Sequence, residues 1–227
     1  MEPLLPLRHP LRRATQALTL LEVMIVIAVI GVLIALVAPS MREMIGMQRL
    51  RGIAAQAVTD VQFARSEALS RNQFVGFVVR NNAAESMSCY ALFVSSTDPL
   101  NLLALDPSKC NCTANPGSAC VGTQREVRIA QVSRSEDIQL RLPPNQVKSF
   151  GYNPVTGGIG TVVSSSSEIG DRDFCFEVTR QPRGRLRIDI SVAGRPTMCS
   201  PDQSVPGFAP CPAPNPAAKN CLGIAAP

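Results

Sequence analysis

The stretch "ALTLLEVMIVIAVIGVLIALVAPS", residues 17–40, decides the fold of this protein. From Leu18 to Val37 it contains one charged side chain, that of Glu22. About 20 apolar residues, each rising about 1.5 Å in a helix, cover a bilayer hydrocarbon core of roughly 30 Å. The stretch therefore predicts a transmembrane helix over residues 18–38. A carboxylate inside such a helix is costly unless it is paired, so Glu22 is a candidate functional residue.

The first 17 residues form a short basic segment. They carry Arg8, Arg12 and Arg13 against a single acid, Glu2. Basic residues beside the first membrane span hold that end of the chain in the cytoplasm, so the remainder should face the periplasm. A cleaved secretory signal is disfavoured, because the apolar run is longer than the usual h-region of about 7–15 residues and no clean A-x-A site follows it.

Residues 39–72 continue the helix with a different pattern. Apolar residues recur there at three- and four-residue steps, which predicts an amphipathic helix with one face on a core. Pro39 and Gly46 are where the helix is expected to bend or loosen. The predicted core face consists of Leu50, Ile53, Ala54, Ala57, Val58, Val61, Ala64, Ala68 and Leu69. The predicted polar face consists of Arg51, Gln56, Asp60, Glu67 and Arg71.

Residues 73–199 change to short, alternating apolar runs between turn-forming segments, which is typical of strands. The alternation is clearest in residues 185–192, where Leu186 and Ile188 should face a core while Arg185 and Arg187 lie on the open face. No βαβ rhythm is present, so an antiparallel sheet against the helix is expected, giving an α+β fold. The predicted strands cover residues 74–80, 89–95, 125–132, 137–142, 174–179 and 185–192.

The eight cysteines all follow the apolar stretch, and an even number fits disulfides in an oxidising compartment. Residues 96–123, which are rich in turn formers and cysteine, are predicted to be an exposed loop stapled by disulfides. Zinc bound by cysteines alone is a less favoured alternative. Residues 200–227 are rich in Pro and Ala and predict a tail without a packed element, in which Cys211 and Cys221 could close a small ring.

Several function classes lack the residues that they need. The single histidine, His9, lies in the basic leader, so the rest of the chain has none for a catalytic triad. Neither a phosphate-binding loop nor a carboxylate pair in a motif is present in the sequence. We therefore expect no enzymatic activity, no cofactor and no metal site.

The N-terminal stretch resembles type IV pilins and type II secretion pseudopilins, which have a basic leader, a cleavage site and an apolar helix with a glutamate five residues in. The resemblance implies cleavage by a prepilin peptidase between Ala17 and Leu18, where the family usually has Gly and Phe. It also implies methylation of the new amine. Glu22 would neutralise the amine of a neighbouring subunit, and Gly31 and Pro39 match the later positions of the motif.

Residues 48–77, and "ARSEALSRNQ" at 64–73 above all, are similar to the GspH/FimT group of minor pseudopilins and minor pilins. The resemblance implies a pilin-like fold, in which a long N-terminal helix packs on an antiparallel sheet domain. The implied function is assembly of a type II secretion pseudopilus or type IV pilus together with other minor subunits. The implied location is the bacterial inner membrane, with the globular domain in the periplasm.

Capture of double-stranded DNA for natural transformation is the alternative function. Some FimT-like proteins bind DNA through a basic C-terminal region with a Gly-Arg-x-Arg pattern. Gly184 to Arg187 fit that pattern literally, but Gly194 to Thr197 are the better counterpart by position and lack the second arginine. The candidate DNA-binding residues are Arg180, Arg183, Arg185, Arg187 and Arg195. Such arginines are more often a solvated sheet face that resists edge pairing.

Overall fold

The computed structural model describes residues 19–82, 87–133, 137–142, 148–161 and 173–212. Its first element is one long helix, α1 (Leu20–Arg71). Contacts between residues divide the chain into two compact units, Met1–Glu43 and Met44–Pro227. The boundary lies inside α1, so the helix contributes its first half to one unit and its second half to the other.

The first unit is an apolar helix whose start is capped. The hydroxyl of Thr19 accepts a hydrogen bond of 3.3 Å from the backbone N–H of Glu22. This Thr-x-x-Glu spacing is that of a capping box, and the acid also lies in the first turn, where the helix dipole favours negative charge. Leu20 and Leu36 are 78% and 70% exposed, and the apolar residues between them are exposed on every side of the helix.

No single helix among the described residues has both the length and the hydropathy expected of a membrane span. The helical segments Leu20–Leu36 and Ser40–Arg71, taken together as a broken pair, meet that standard by length and composition alone.

The second half of α1 packs one face on the sheet domain, as its periodicity predicts. Leu50, Ala54, Ala57, Val61, Ala64 and Ala68 are fully buried. Ile53 and Val58 pack partly against the same core. Two residues differ from the prediction: Leu69 is 46% exposed, and Asp60, assigned to the polar face, is only 1% exposed. Asp60 lies three residues after Ala57 and four before Ala64, so a helical repeat places it beside the buried stripe.

Nine strands follow α1 in two antiparallel sheets. In chain order they are β1 (Val75–Asn82), β2 (Met87–Ser95), β3 (Gln124–Ser133), β4 (Ile138–Arg141), β5 (Ser149–Tyr152), β6 (Ile159–Thr161), β7 (Phe174–Arg180), β8 (Arg185–Ile190) and β9 (Pro196–Cys199). One sheet has the order β3-β2-β1-β5-β6 and the other the order β4-β7-β8-β9. The α+β architecture of a long helix packed on antiparallel sheets is confirmed.

The six strands expected from the sequence are present, but β5, β6 and β9 were missed. Each has only three or four residues, and the first two contain Gly151 and Gly160. β9 begins with Pro196, which is compatible with its position at the edge of its sheet. Short strands with glycine or proline give too few alternating positions to be recognised by period.

Aromatic side chains fill the core between α1 and the sheets. The ring of Phe77 on β1 stacks on those of Tyr90 and Phe150, with ring centroids 5.2 Å apart in both pairs. Phe150 also contacts Phe174 on β7 at 4.7 Å, so the cluster joins the two sheets. These rings are 1% exposed or less, and offset aromatic pairs add to the stability that their burial provides.

The segment 96–123 is not an exposed loop, which corrects the expectation from its composition. Leu102, Leu105, Cys110 and Cys112 are buried in a second, smaller core together with residues of β1 and β2. Those strand residues, such as Val78 and Phe93, alternate with the ones that face α1, so the segment covers the opposite face of the five-stranded sheet.

The disulfide prediction for this segment is confirmed. Cys89 of β2 bonds Cys112, and Cys110 bonds Cys120. No cysteine in the described parts of the chain is free, and no cluster of metal-binding side chains is found there.

The chain after β9 also differs from expectation. Cys211 forms a disulfide with Cys199 at the end of β9, so the prediction of a ring closed by Cys211 and Cys221 is wrong. Residues 200–212 pack on the domain, with Val205 buried in the main core and Ser200 paired with Pro210 in a parallel bridge. The remainder of the predicted tail, 213–227, lies outside the described residues.

Candidate assembly surfaces

Glu22 is exposed on the first turn of α1. Its backbone N–H donates to Thr19, but no side chain in the described part of the chain pairs with its carboxylate. The carboxylate thus stands among exposed apolar residues such as Leu21 and Val23, without an intramolecular counter-charge there. An acidic group in this position is available to a cation supplied from outside the subunit.

Gly31 lies on the same exposed half of α1. A Cβ built on Gly31 would meet no heavy atom within 4 Å, so nothing in the described part of the subunit requires glycine at this position. Small residues on apolar helices allow the backbone of another helix to approach closely. Pro39 lies within α1, and Ala17 and Leu18, the predicted processing residues, lie outside the described residues.

Three of the five candidate arginines lie near the turn between β7 and β8. The guanidinium of Arg180 lies over Gly46 of α1, where a Cβ would come within 2.2 Å of its Nε. Gly46 therefore provides room for an arginine. Arg183 is exposed in the turn itself. Arg185 points back into the sheet and bonds both carboxylate oxygens of Glu177 at 2.9–3.2 Å.

The pairs Arg185–Glu177 and Arg187–Asp189 are largely buried. The Glu177 side chain is 2% exposed and that of Arg187 is 10% exposed. Burial raises the pKa of the Glu177 carboxyl, although the hydrogen bond and charge of Arg185 act in the opposite direction. Burial also raises the pKa of Asp189 against the effect of Arg187. The face of β8 that the alternation assigned to solvent is therefore covered.

Arg195 is exposed in the turn between β8 and β9. That turn and the turn carrying Arg183 lie at opposite ends of β8, whose six residues span about 20 Å at roughly 3.3 Å each. With Arg185 and Arg187 in ion pairs, the five arginines that cluster in the sequence do not form one cationic surface in the described structure.

The polar contact that the sequence did not reveal joins α1 to β2 and β3. The phenol of Tyr90 and the guanidinium of Arg128 both donate to the carboxylate of buried Asp60. Arg128 also lies 5.3 Å from the ring centroid of Phe63 on α1. The helical repeat around Asp60 signals its burial, but nothing in the sequence identifies its partners.

The "ARSEALSRNQ" segment has two kinds of charged residue. Glu67 forms an ion pair with Arg71, one turn later on the helix. Arg65 instead is half-buried, and its Nε lies where a Cβ of Gly157 would be 2.9 Å away. Arg65 is therefore part of the contact between the helix and the sheet domain.

Two protein-family models match parts of this chain. Residues 54–194 match the family described as type II transport protein GspH, and residues 12–38 match the prokaryotic N-terminal methylation motif. The motif implies processing by a prepilin peptidase, and its apolar helix implies anchoring in a membrane before assembly. The family implies other pseudopilins as partners. No curated protein matches the chain.

Two crystal structures of the type IV minor pilin FimU from Pseudomonas aeruginosa strain PAO1 are similar to this chain. The structure in space group P21 has a TM-score of 0.43 and 14% identity, and covers 71% of this chain and 95% of its own. The structure in space group P65 has a TM-score of 0.39 and 13% identity, with coverages of 72% and 96%. Because the GspH model matches more than half of the sequence, the chain belongs to the GspH family of type II transport proteins, and is a structural minor pseudopilin or pilin of type II secretion and type IV pilus systems.

Proposed function

We propose that this subunit enters its filament through the first half of α1, after cleavage between Ala17 and Leu18. The observation that carries the proposal is the exposed Glu22 carboxylate, which has no counter-charge among the described residues and stands on a helix that is apolar on every side. In the membrane the apolar side chains face lipid. In a filament they face the equivalent helices of neighbouring subunits.

The Leu18 amine supplies the missing cation. Cleavage creates this amine four residues before Glu22, at the end of an apolar helix. A protonated amine and a carboxylate that are both buried in a helical bundle are each costly alone, and pairing them removes most of that cost. Glu22 of one subunit pairs with the Leu18 amine of the next, which fixes the stagger between subunits more than it adds net stability.

Gly31 serves the same assembly by close packing. Its position leaves a gap on the helix surface that no atom of the described subunit fills. A neighbouring helix can approach to backbone contact at this point, and van der Waals packing is the main attraction between apolar helices that leave lipid. The sheet domain lies in the periplasm before assembly and provides contacts to other minor subunits.

The experiment is an intact-mass measurement on the chain expressed in a host with its prepilin peptidase, combined with separation of sheared filaments from membranes. Wild-type chain should lose residues 1–17, gain a methyl group on Leu18 and be found in both fractions. Ala17→Glu should keep the precursor mass and stay in the membrane. Gln16→Glu adds the same charge one residue earlier and should be cut normally.

Two results would contradict the proposal. Normal cleavage of Ala17→Glu would place the processing site elsewhere. A correctly processed wild-type chain that never appears in sheared filaments, while the other subunits do, would mean that the protein is not incorporated into the filament.

A further inference from the structure

A cavity of about 440 Å³ opens between the last turns of α1 and the turn that joins β8 to β9. Arg65 and Leu69 line it from the helix, and Gly194, Arg195 and Pro196 line it from the turn. Two neutral polar residues of the helix complete the lining. The lining of the cavity therefore includes two arginines and no acidic residue.

Arg65 is held in place but is not fully satisfied. Its Nε is buried and has no hydrogen-bond partner among the described residues. The side chain lies against Gly157, which has a φ of 65° and leaves space that a Cβ would occupy. The Nε is closed to solvent, so a ligand in the cavity would meet other atoms of the Arg65 side chain.

Close contacts fix the turn that carries Arg195. Gly194 is in tight contact with Gly157, since a Cβ on Gly194 would lie 2.2 Å from the carbonyl oxygen of Gly157. The hydroxyl of Tyr152 donates to the Gly194 carbonyl at 3.2 Å and further fixes the turn. Arg195 follows directly, exposed at the mouth of the cavity and without an ion pair in the described structure.

The chemistry of the lining fits a single oxyanion on an apolar stem better than a polyanion. Guanidinium groups present donors in a planar fork that matches a carboxylate or a phosphate. Leu69, 46% exposed, and Pro196 provide an apolar wall for the methylene groups that carry such a carboxylate. Nucleic acid requires several cations along its backbone, but Arg185 and Arg187 are occupied by their own acids.

We propose that this cavity is a carboxylate-binding site, which in the assembled filament receives an acidic side chain of a neighbouring subunit. That the carboxylate comes from a neighbouring subunit rests on the filament role proposed above. The site itself does not, because Arg65, Arg195 and the cavity belong to one folded subunit.

The first test measures the site without assembly. Full processed chain in detergent micelles is titrated with N-acetyl-glutamate methylamide, and the Nε–Hε resonances of Arg65 and Arg195 are followed by NMR. They should move saturably at millimolar concentrations, and the matching glutamine compound should leave them in place. Arg65→Gln and Arg195→Gln should each weaken binding at least tenfold, whereas Arg183→Gln, at the far end of β8, should not change it.

Two results of this titration would overturn the carboxylate site. One is an equal response to the glutamate and glutamine compounds. The other is saturation by inorganic phosphate at concentrations at least tenfold lower than those of the glutamate compound, which would assign the cavity to a phosphate-bearing ligand. If Arg65→Gln does not fold, Arg195→Gln still tests the site, because Arg195 is exposed and its replacement should not disturb the fold.

The second test identifies the source in filaments. Arg195→Lys places a primary amine at the mouth of the cavity, and a carbodiimide then joins that amine to a contacting carboxylate as an amide. The reagent takes up the elements of water and leaves as a urea. Filaments containing Arg195→Lys should give a cross-linked pair of subunits that is absent from Arg183→Lys filaments. Incorporation without this cross-link would overturn the neighbour as the source, whereas failure to incorporate would count against the filament role and leave the titration result standing.

Discussion

The phenol of Tyr90 on β2 donates a hydrogen bond of 2.7 Å to Oδ2 of Asp60 on α1, inside the domain core. Arg128 on β3 donates to the other oxygen of the same carboxylate. Burial, followed by the hydrogen bond to Asp60, raises the pKa of the Tyr90 phenol, so Tyr90 remains a donor at any physiological pH. One carboxylate therefore connects the second half of α1 to two adjacent strands.

Asp60→Ala should lower the free energy of unfolding by roughly 2–3 kcal/mol, because it leaves the Tyr90 hydroxyl buried without a partner. Tyr90→Phe should cost about 1.5 kcal/mol, since Asp60 keeps its bond to Arg128. Thr59→Ala changes the neighbouring exposed residue and should stay within about 0.5 kcal/mol of wild type. Denaturant unfolding of the full chain in micelles measures all three. Equal stability of Asp60→Ala and Thr59→Ala would show that the contact contributes nothing.

Leu102 should be coupled energetically to Gly151. A Cβ on Gly151 would lie 2.5 Å from Cδ1 of Leu102, so Gly151→Ala forces the leucine to move. Leu102→Ala alone should cost roughly 2–5 kcal/mol through the cavity that it leaves. In the double variant the added methyl enters that space, so Gly151→Ala should cost less there than in wild type. A double-mutant cycle by chemical denaturation checks this, and strictly additive costs would contradict the packing of residues 96–123 on the sheet.

The arginines of the β7–β8 region should differ in their contribution to the free energy of unfolding. Arg185→Ala leaves the buried Glu177 carboxylate without its counter-charge and should destabilise the fold by roughly 3–5 kcal/mol. Arg183→Ala should change stability by no more than about 0.5 kcal/mol. Thermal or denaturant unfolding distinguishes the two. If both variants are as stable as wild type, the Arg185–Glu177 ion pair is absent in solution.

The titration of Glu177 should lower the free energy of unfolding as pH rises from below its unfolded pKa through its folded pKa. Burial raises its folded-state pKa above the unfolded value of about 4.3, so the folded protein binds this proton more tightly than the unfolded chain does. The resulting stabilisation is fully present below the unfolded pKa and is lost as pH rises through the folded pKa. Glu177→Gln removes this titration.

Unfolding free energies of wild type and Glu177→Gln, measured from below pH 4 to neutral pH, check the sign of this effect. The stability of wild type relative to the variant should fall across the interval and then become constant. An advantage of wild type that grows with pH would mean that the Arg185 charge outweighs burial.

The helix was the most predictable part of the fold, because burial on one face of α1 leaves a periodic trace in the sequence. Leu50, Ala54, Ala57, Val61 and Ala64 are buried as their spacing predicts. The environment of Asp60 was not predictable in the same way. Its partners Tyr90 and Arg128 lie 30 and 68 residues further along the chain, and no local pattern encodes such distant contacts.

The turn formers and cysteines of segment 96–123 predict an exposed loop, but part of the segment is buried. Leu102 and Leu105 are buried since Gly151 and Gly160 leave space beneath them on short strands that have little pattern of their own. The candidate arginines were misleading for a related reason. The alternation of apolar and polar residues predicts an open face for Arg185 and Arg187. It does not reveal that both arginines form largely buried ion pairs, with Glu177 and Asp189.

Filament incorporation of Glu22→Ala, compared with Glu43→Ala, tests whether Glu22 pairs with the Leu18 amine of a neighbouring subunit. Both residues are exposed acids on α1 within the unit Met1–Glu43, but only Glu22 lies in the first turn, near the proposed processing site. Intact mass would establish cleavage, and quantification in membranes and sheared filaments would establish incorporation. We expect both variants to be cut and inserted in the membrane. The amount of Glu22→Ala in filaments should fall at least tenfold, whereas that of Glu43→Ala should equal wild type. Normal incorporation of Glu22→Ala would contradict the proposed pairing with the amine of Leu18.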